Sequence, residues 1–257
     1  NVDWSETQIR LDKFLQDNTS KHILITGFIG CDYNNRKLTL GFEGSDFSAA
    51  IFGKLFKVNS IHIWSDVDGL YTADPRLVSQ AKVIEQLSYD EAIELASMGA
   101  SIIHPQAIEP AMELQIPIYI ANAFKESKKG SLILKNAKTS STLARGLSCS
   151  NKVSLINIEG SGILTRASLI AKVFDILHKN FIDILLISQA SAEHSICFVV
   201  RDLQVKETLT KLHQGLALEI TRNQVQSISA TEKCAILTVV GDQMAGKPGV
   251  CAQIFSC

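Results

Sequence analysis

The chain has almost no net charge, no long apolar run, no paired-cysteine motif and no glycine-lysine phosphate loop, and each absence removes a class of function. Its 25 Lys and Arg nearly balance 26 Asp and Glu, and the sequence pI is about 6.7. No global field is therefore present to hold nucleic acid or an anionic membrane. No apolar run approaches the roughly 18 residues needed to cross a bilayer, and the opening NVDWSETQIRLDKFL does not read as a signal peptide. A soluble cytoplasmic protein is expected. The six cysteines, Cys31, Cys149, Cys197, Cys234, Cys251 and Cys257, form no CxxC pair and no metal-ligand spacing. They are expected to be reduced, mostly structural and buried. No Walker-type loop is present, which excludes a P-loop enzyme. Small polar ligands are the class that remains.

At 257 residues the chain fits two domains, each with its own core. The first half alternates strand-like and helix-like segments, the rhythm of an α/β domain with a largely parallel sheet. Strands are expected at 22–28, 60–64, 116–120 and 131–134, and helices at 46–56, 89–98 and 105–114. Ser88 with Glu91 reads as a capping box, Gly99 as a C-terminal cap, and Pro117 as the mark of an edge strand. Residues 138–150 form a polar linker. Beyond it, strands at 153–158, 184–188 and 195–200 and helices at 168–178 and 203–216 give the order βαββα of a small α+β sandwich. CAILTVVGDQMAGKPGVCAQIFSC then repeats the plan of VSLINIEGSGILTRASLIAKVFDIL, with Phe255 in the place of Phe174. The expected domains are residues 1–137, 151–230 and the start of a second repeat at 231–257. The chain is expected to be a piece of a longer protein.

Two segments carry the chemistry. IHIWSDVDGLYTADPRLV, from Ile61, reads as a buried strand ending in two acidic turns and an arginine, the usual position of a nucleotide site at the edge of a parallel sheet. Arg76 can clamp phosphate oxygens, and Tyr71 can pack on a base or sugar. Asp66 can take a ribose hydroxyl or a magnesium-bound water. The bland alternative is a pair of ordinary Asp-Gly and Asp-Pro turns. LTLGFEGSDFSAAIFGKLF, from Leu38, is a glycine-spaced turn feeding a helix, with Ser45 and Asp46 at the helix start. Free amides there favour an anion, Asp46 can orient an ammonium group, and simple N-capping is the competing explanation. His104, ahead of Pro105 at a helix start, reads as a structural hydrogen-bonder.

ITGFIG, LTLGFEGSDFSA, WSDVDGLYTADPR, QLSYDEAIELASMGASIIHPQAIEPA and GSLI, in this order and spacing, closely resemble the catalytic domain of aspartokinases. LISQASAEHSICFVV resembles the first ACT regulatory domain of that family, in the version found in bifunctional aspartokinase/homoserine dehydrogenases. TVVGDQMAGKPGVCAQIF resembles the start of the second. The resemblance implies a partial amino-acid-kinase fold, α/β with a mainly parallel sheet, followed by α+β ACT units of βαββα type. It implies transfer of the γ-phosphoryl group of ATP, with Mg2+, to the β-carboxylate of L-aspartate. Nucleotide contacts then fall on Ser65, Asp66, Tyr71, Asp74, Arg76, Ser101 and Ile102. The aspartate site falls on Phe28, Ser45 and Asp46, the last two catalytic.

The family's ACT domains bind lysine or threonine, and the corresponding lining here is Ile163, Leu164, Asp183, Gln189, Ser191 and Glu193. The Pro-Gly of the first ACT loop is replaced by Ala167-Ser168, whereas the second unit keeps Pro248-Gly249. A homodimer through residues 153–200 is expected. The sequence departs from the family at Phe42, where an arginine is usual, and at Ser101, where a lysine is usual; the family's KFGGTS segment is absent from these residues. The 257-residue chain alone is therefore expected to have little or no kinase activity. A kinase-like scaffold that senses an amino acid is the competing function, and the βαββα repeat disfavours a carbamate or glutamate kinase without regulation.

Overall fold

A computed structural model describes the chain except Asn1, Thr19, Lys21, Phe42, Cys257 and residues 98–101, 126–128, 139–143, 162–165, 189–194, 242–243 and 245, together with the side chain of Arg166. The expected cap at Gly99 lies outside the described residues. The chain divides into two compact units, Asn1–Ser148 with Thr238–Cys257, and Cys149–Leu237.

In the first unit, α1 (Trp4–Asp17) is a helix the sequence reading did not anticipate. Its start is fixed by Asp3, whose carboxylate accepts the Glu6 N–H at 2.9 Å. The strands β1 (Ile29–Cys31) and β2 (Lys37–Thr39) form a short antiparallel hairpin, and α2 spans Gly44–Phe56. β3 (Ile61–Ser65) and β4 (Gln86–Leu87) follow, then α3 (Tyr89–Ser97), α4 (Pro105–Glu113), β5 (Ile118–Asn122) and β6 (Ser131–Ile133). The four-stranded sheet has the order β3-β5-β6-β4, with β3-β5 and β4-β6 parallel and β5-β6 antiparallel. Ile61, Ile63, Ile118, Ile120 and Ile133 face the core with Ala50, Leu95, Ala107 and Ile108 from the helices. Each fully buried isoleucine contributes about 1.5–3 kcal/mol. Helix α2 lies so close to β3 that a Cβ on Gly53 would meet Ile61 Cδ1 at 2.7 Å.

Four expectations are corrected here. Residues 22–28 are not a strand: they find no ladder partner among the described residues, Leu24 is fully exposed, and Phe28 takes a left-handed φ of 72° that breaks an extended run. β5 is an interior strand, because Pro117 lies just before it and only its carbonyl is used, accepting the Ile61 N–H at 2.9 Å. β3 is buried on one face only, with Ile61 and Ile63 inward and Trp64 64% exposed, the alternation of an edge strand. None of the five described cysteines is buried; Cys31, for example, lies on the exposed β1.

The second unit is built on β7 (Gly146–Gly160), α5 (Arg166–Lys179), β8 (Leu186–Ser188) and β9 (Ser195–Arg201). The expected helix at 203–216 is broken into a 3₁₀ turn (Asp202–Gln204), α6 (Val205–Gly215) and α7 (Ala217–Thr221), after which β10 (Val225–Val240) closes the sheet. The order β10-β7-β9-β8 places the last strand of this unit beside its first, with β7-β9 and β8-β9 antiparallel. Ile156, Ile158, Ile196 and Phe198 meet Val173 and Leu177 of α5 and Leu212 of α6 in a core of its own. The expected boundary between residues 230 and 231 falls inside β10, and residues 146–150 of the expected linker already belong to β7. α8 (Val250–Phe255) begins after Gly249, whose φ is 87°.

Candidate active site

The first cluster forms at the start of α2. Its N-cap is Glu43, in the left-handed conformation (φ 54°) and with no side-chain cap bond, so Ser45 and Asp46 lie inside the first turn and neither acts as the cap. The N-capping explanation is thus removed for both. Phe28 is brought to the same place by two contacts: its N–H donates to Ser48 Oγ at 2.9 Å, and its ring would collide at 2.9 Å with a Cβ on Gly44. The buried Ser48 in turn donates to the Gly44 carbonyl at 2.8 Å. Phe28 therefore packs at the start of α2, the turn that carries Ser45 and Asp46.

Burial pushes the Asp46 carboxyl above the usual carboxylate range, and the Ser45 hydroxyl, 3.4 Å away, opposes that shift. Glu43 is raised too, first by burial and then by the Asp46 charge, with His104 acting in the opposite sense. His104 itself caps α4, its Nδ1 accepting the Gln106 N–H at 3.2 Å. Glu43 was not singled out from the sequence; its left-handed backbone before a glycine-led helix is the signal that could have found it.

The second cluster lies at the carboxyl ends of the parallel strands β3 and β5, where open α/β sheets bind ligands. Ser65 ends β3 and donates to Asp66 Oδ1 at 3.2 Å, and the Asp66 side chain is exposed. Tyr71 follows, half-buried and bridged to Val83. Arg76 is 87% exposed and folded back on Asp74, with Nη2 to Oδ2 at 2.8 Å, so the guanidinium holds the Asp74 carboxyl below the usual range. Ile102 packs at the edge of the core. Ser101 and Phe42 lie outside the described residues.

Two residues unforeseen from the sequence, Asn122 and Lys125, complete this end of the sheet. Asn122 ends β5 opposite Ser65, and its Nδ2 donates to the Asp66 carbonyl at 2.9 Å and to Asp68 Oδ1 at 2.7 Å. Lys125 Nζ donates to the same Asp68 Oδ1 at 2.9 Å. Asn122 could have been found only by knowing that β5 pairs with β3, since a polar residue closing a parallel neighbour falls beside the first strand's end. In the second unit, Asp183 is exposed just ahead of β8; Ile163, Leu164, Gln189, Ser191 and Glu193 lie outside the described residues.

Comparison with known proteins bears on this arrangement. Residues 4–122 match the amino acid kinase family, and residues 156–216 match the ACT domain. The chain is 38% identical over 259 residues to bifunctional aspartokinase/homoserine dehydrogenase 2, chloroplastic, of Arabidopsis thaliana, covering 99% of this chain and 28% of that protein. It is 30% identical to lysine-sensitive aspartokinase 3 of Escherichia coli, over 91% of this chain and 51% of that protein. The crystal structure of E. coli aspartokinase III in complex with aspartate and ADP superimposes with a TM-score of 0.78 at 27% identity, over 96% of this chain and 54% of that one. The chain thus spans from about a quarter to about half of the relatives it matches. These relatives are aspartokinases, and this chain resembles them along nearly its whole length in carrying a kinase-type segment followed by an ACT domain.

Proposed function

We propose that the protein carrying this chain is an aspartokinase, transferring the γ-phosphoryl group of ATP to the β-carboxylate of L-aspartate in the first step of lysine, threonine and methionine biosynthesis. In that reaction a carboxylate oxygen attacks the γ-phosphorus, the bond to the β-phosphate oxygen breaks, and ADP leaves as an acyl phosphate forms. Such a transfer is governed by alignment and charge neutralisation. The observation that carries the reading is the pairing of two polar clusters in one unit: Phe28, Ser45 and Asp46 at the start of α2, and Ser65, Asp66, Tyr71 and Arg76 beyond β3. The first would hold aspartate, with Asp46 facing its ammonium group, and the second the nucleotide. That a similar E. coli protein was solved with both aspartate and ADP supports a reading with two ligand sites.

Mg2+ fits as a companion of the nucleotide. No group of three or more His, Cys, Asp and Glu forms a metal cage among the described residues, whereas the exposed Asp66 offers the single carboxylate that usually joins phosphate oxygens around this ion. When bound, the ion would neutralise phosphate charge; Arg76 would leave Asp74 to add to that effect. The second unit would bind lysine or threonine and thereby regulate the kinase, a reading supported by its ACT match and by the lysine-sensitive relative. It would also pair with a second copy. No helix among the described residues is long and apolar enough to cross a membrane.

The sequence departures at Phe42 and Ser101 each remove a cation, and losing one such contact typically lowers the rate about a hundredfold. The 257-residue chain alone is therefore expected to turn over slowly if at all. Trapping the acyl phosphate with hydroxylamine, using aspartate and Mg-ATP and the full-length protein, tests the assignment. Aspartate-dependent hydroxamate supports it, and release of phosphate without aspartate dependence contradicts it. The same departures favour a second reading, a kinase-like scaffold that senses an amino acid; calorimetric binding of lysine or threonine without nucleotide binding would select it.

A further inference from the structure

The bend that follows β3 is held by side chains from β5, β6 and the loop after β5, and this costs the fold a buried charge. Asp68 is only 5% exposed. A carboxylate in such a place is costly unless it is paired and hydrogen-bonded, and an Asp-Gly turn needs no buried carboxylate to form. Here Asp68 is met by Asn122 Nδ2 at 2.7 Å and by Lys125 Nζ at 2.9 Å. Asn122 is equally committed. It is 3% exposed, its Nδ2 also donates to the Asp66 carbonyl, and its Oδ1 accepts the Phe124 N–H at 2.8 Å. Reversing the amide would set its oxygen against two acceptors, so the network admits one orientation. The far end of the bend is fixed by Ser131 of β6, whose Oγ accepts the Leu70 N–H at 2.8 Å and donates to the Ile84 carbonyl at 2.7 Å. Gly69, at φ +144°, leaves room for that hydroxyl, which a Cβ would meet at 2.6 Å.

We propose that Asn122, acting through Asp68 and the Asp66 carbonyl, is the positioning residue of the nucleotide wall: it fixes the backbone from which Ser65 and Asp66 present their side chains. The inference rests on the assignment of Ser65 and Asp66 as nucleotide contacts. A fully satisfied buried network of this kind selects one conformation of the chain it grips. Asn122 holds Asp66 by its carbonyl, and the Asp66 side chain stays exposed for a ligand. Asn122 therefore acts on the nucleotide through Asp66 and not by contact.

The test is a double-mutant cycle on the full-length protein, read by calorimetric titration with Mg-ATP. Asn122→Ala is expected to weaken binding about tenfold, and Asp66→Asn by a similar factor. The double variant is expected to bind no worse than about twofold below the weaker single variant, because both changes disable one turn. Should Asn122→Ala fail to fold by circular dichroism, Asp68→Asn, with the same shape, takes its place with the same expected coupling. Wild-type binding that survives Asn122→Ala unchanged, or losses that multiply in the double variant, would overturn the positioning role alone; binding that survives Asp66→Asn unchanged would overturn the Asp66 assignment on which it rests. A wild-type chain that binds no Mg-ATP would overturn the nucleotide assignment, and this inference with it.

Discussion

At the scale of single residues, Asp46 links pH to both stability and function. Its carboxyl is raised by burial, so protonation favours the folded state. That contribution is complete below the ordinary value of 3.8 and is lost as pH rises through the raised folded value. At neutral pH the ionised Asp46 is thus a stability cost retained for its charge. Asp46→Asn is expected to raise the melting temperature at pH 7, with the gain shrinking in acid, while lowering aspartate-dependent turnover of the full-length protein about a hundredfold. Thermal melts across pH alongside the hydroxamate assay would check both signs. Arg76 behaves differently, since its pair with Asp74 is a surface contact of little structural worth. Arg76→Ala is expected to leave the melting temperature unchanged and weaken Mg-ATP binding about tenfold, as measured by titration. Ser65, Asp66, Arg76, Ser45 and Asp46 were legible in the sequence because each lies in a short contiguous motif. Asn122 was not, because its place beside Ser65 depends on strand pairing across 57 positions of sequence, and Asp68 stands out in the sequence only as part of an acidic turn, with nothing local to mark its carboxylate as buried.

At the scale of elements, α3 shows how local signals and long-range contacts reinforce one another. The capping box reads directly from the sequence: the Glu91 N–H donates to Ser88 Oγ at 3.1 Å, and the Ser88 N–H donates to Glu91 Oε2 at 3.0 Å. Only the fold adds Arg145, whose Nε reaches the other oxygen of Glu91 at 3.1 Å where that side chain is 2% exposed. Glu91→Ala removes the box and leaves a largely buried guanidinium without that partner, so a loss of about 3–5 kcal/mol is expected in urea unfolding. Ser88→Ala, which removes the cap alone, is expected to lose about 1 kcal/mol. Equal losses would contradict the role given to Arg145. Apart from α1, the longer helices were read well because caps and apolar spacing are local. Strands were read less well: residues 22–28 have strand-like composition but lack a ladder, and Pro117 suggested an edge although its missing N–H falls outside β5. Strand identity and rank depend on partners that one segment cannot announce.

At the scale of the whole molecule, the two units have separate cores, and β7 and β10 both carry chain from one to the other. The sheet of the second unit ends at β8, where Leu186 and Ile187 are exposed on a short edge strand. Open edges of this kind invite pairing with another chain. Size-exclusion chromatography with light scattering is expected to give a dimer, and Ile187→Asp to shift it towards monomer; a wild-type monomer at high concentration would contradict pairing. The central claim is that the carboxyl ends of β3 and β5 form a nucleotide wall. A crystal structure of the 257-residue chain soaked with ADP tests it most directly. A nucleotide is expected in contact with Ser65, Asp66, Tyr71 and Arg76, with the Arg76 guanidinium released from Asp74. Nucleotide bound elsewhere, with the Asp74–Arg76 pair intact, would contradict it.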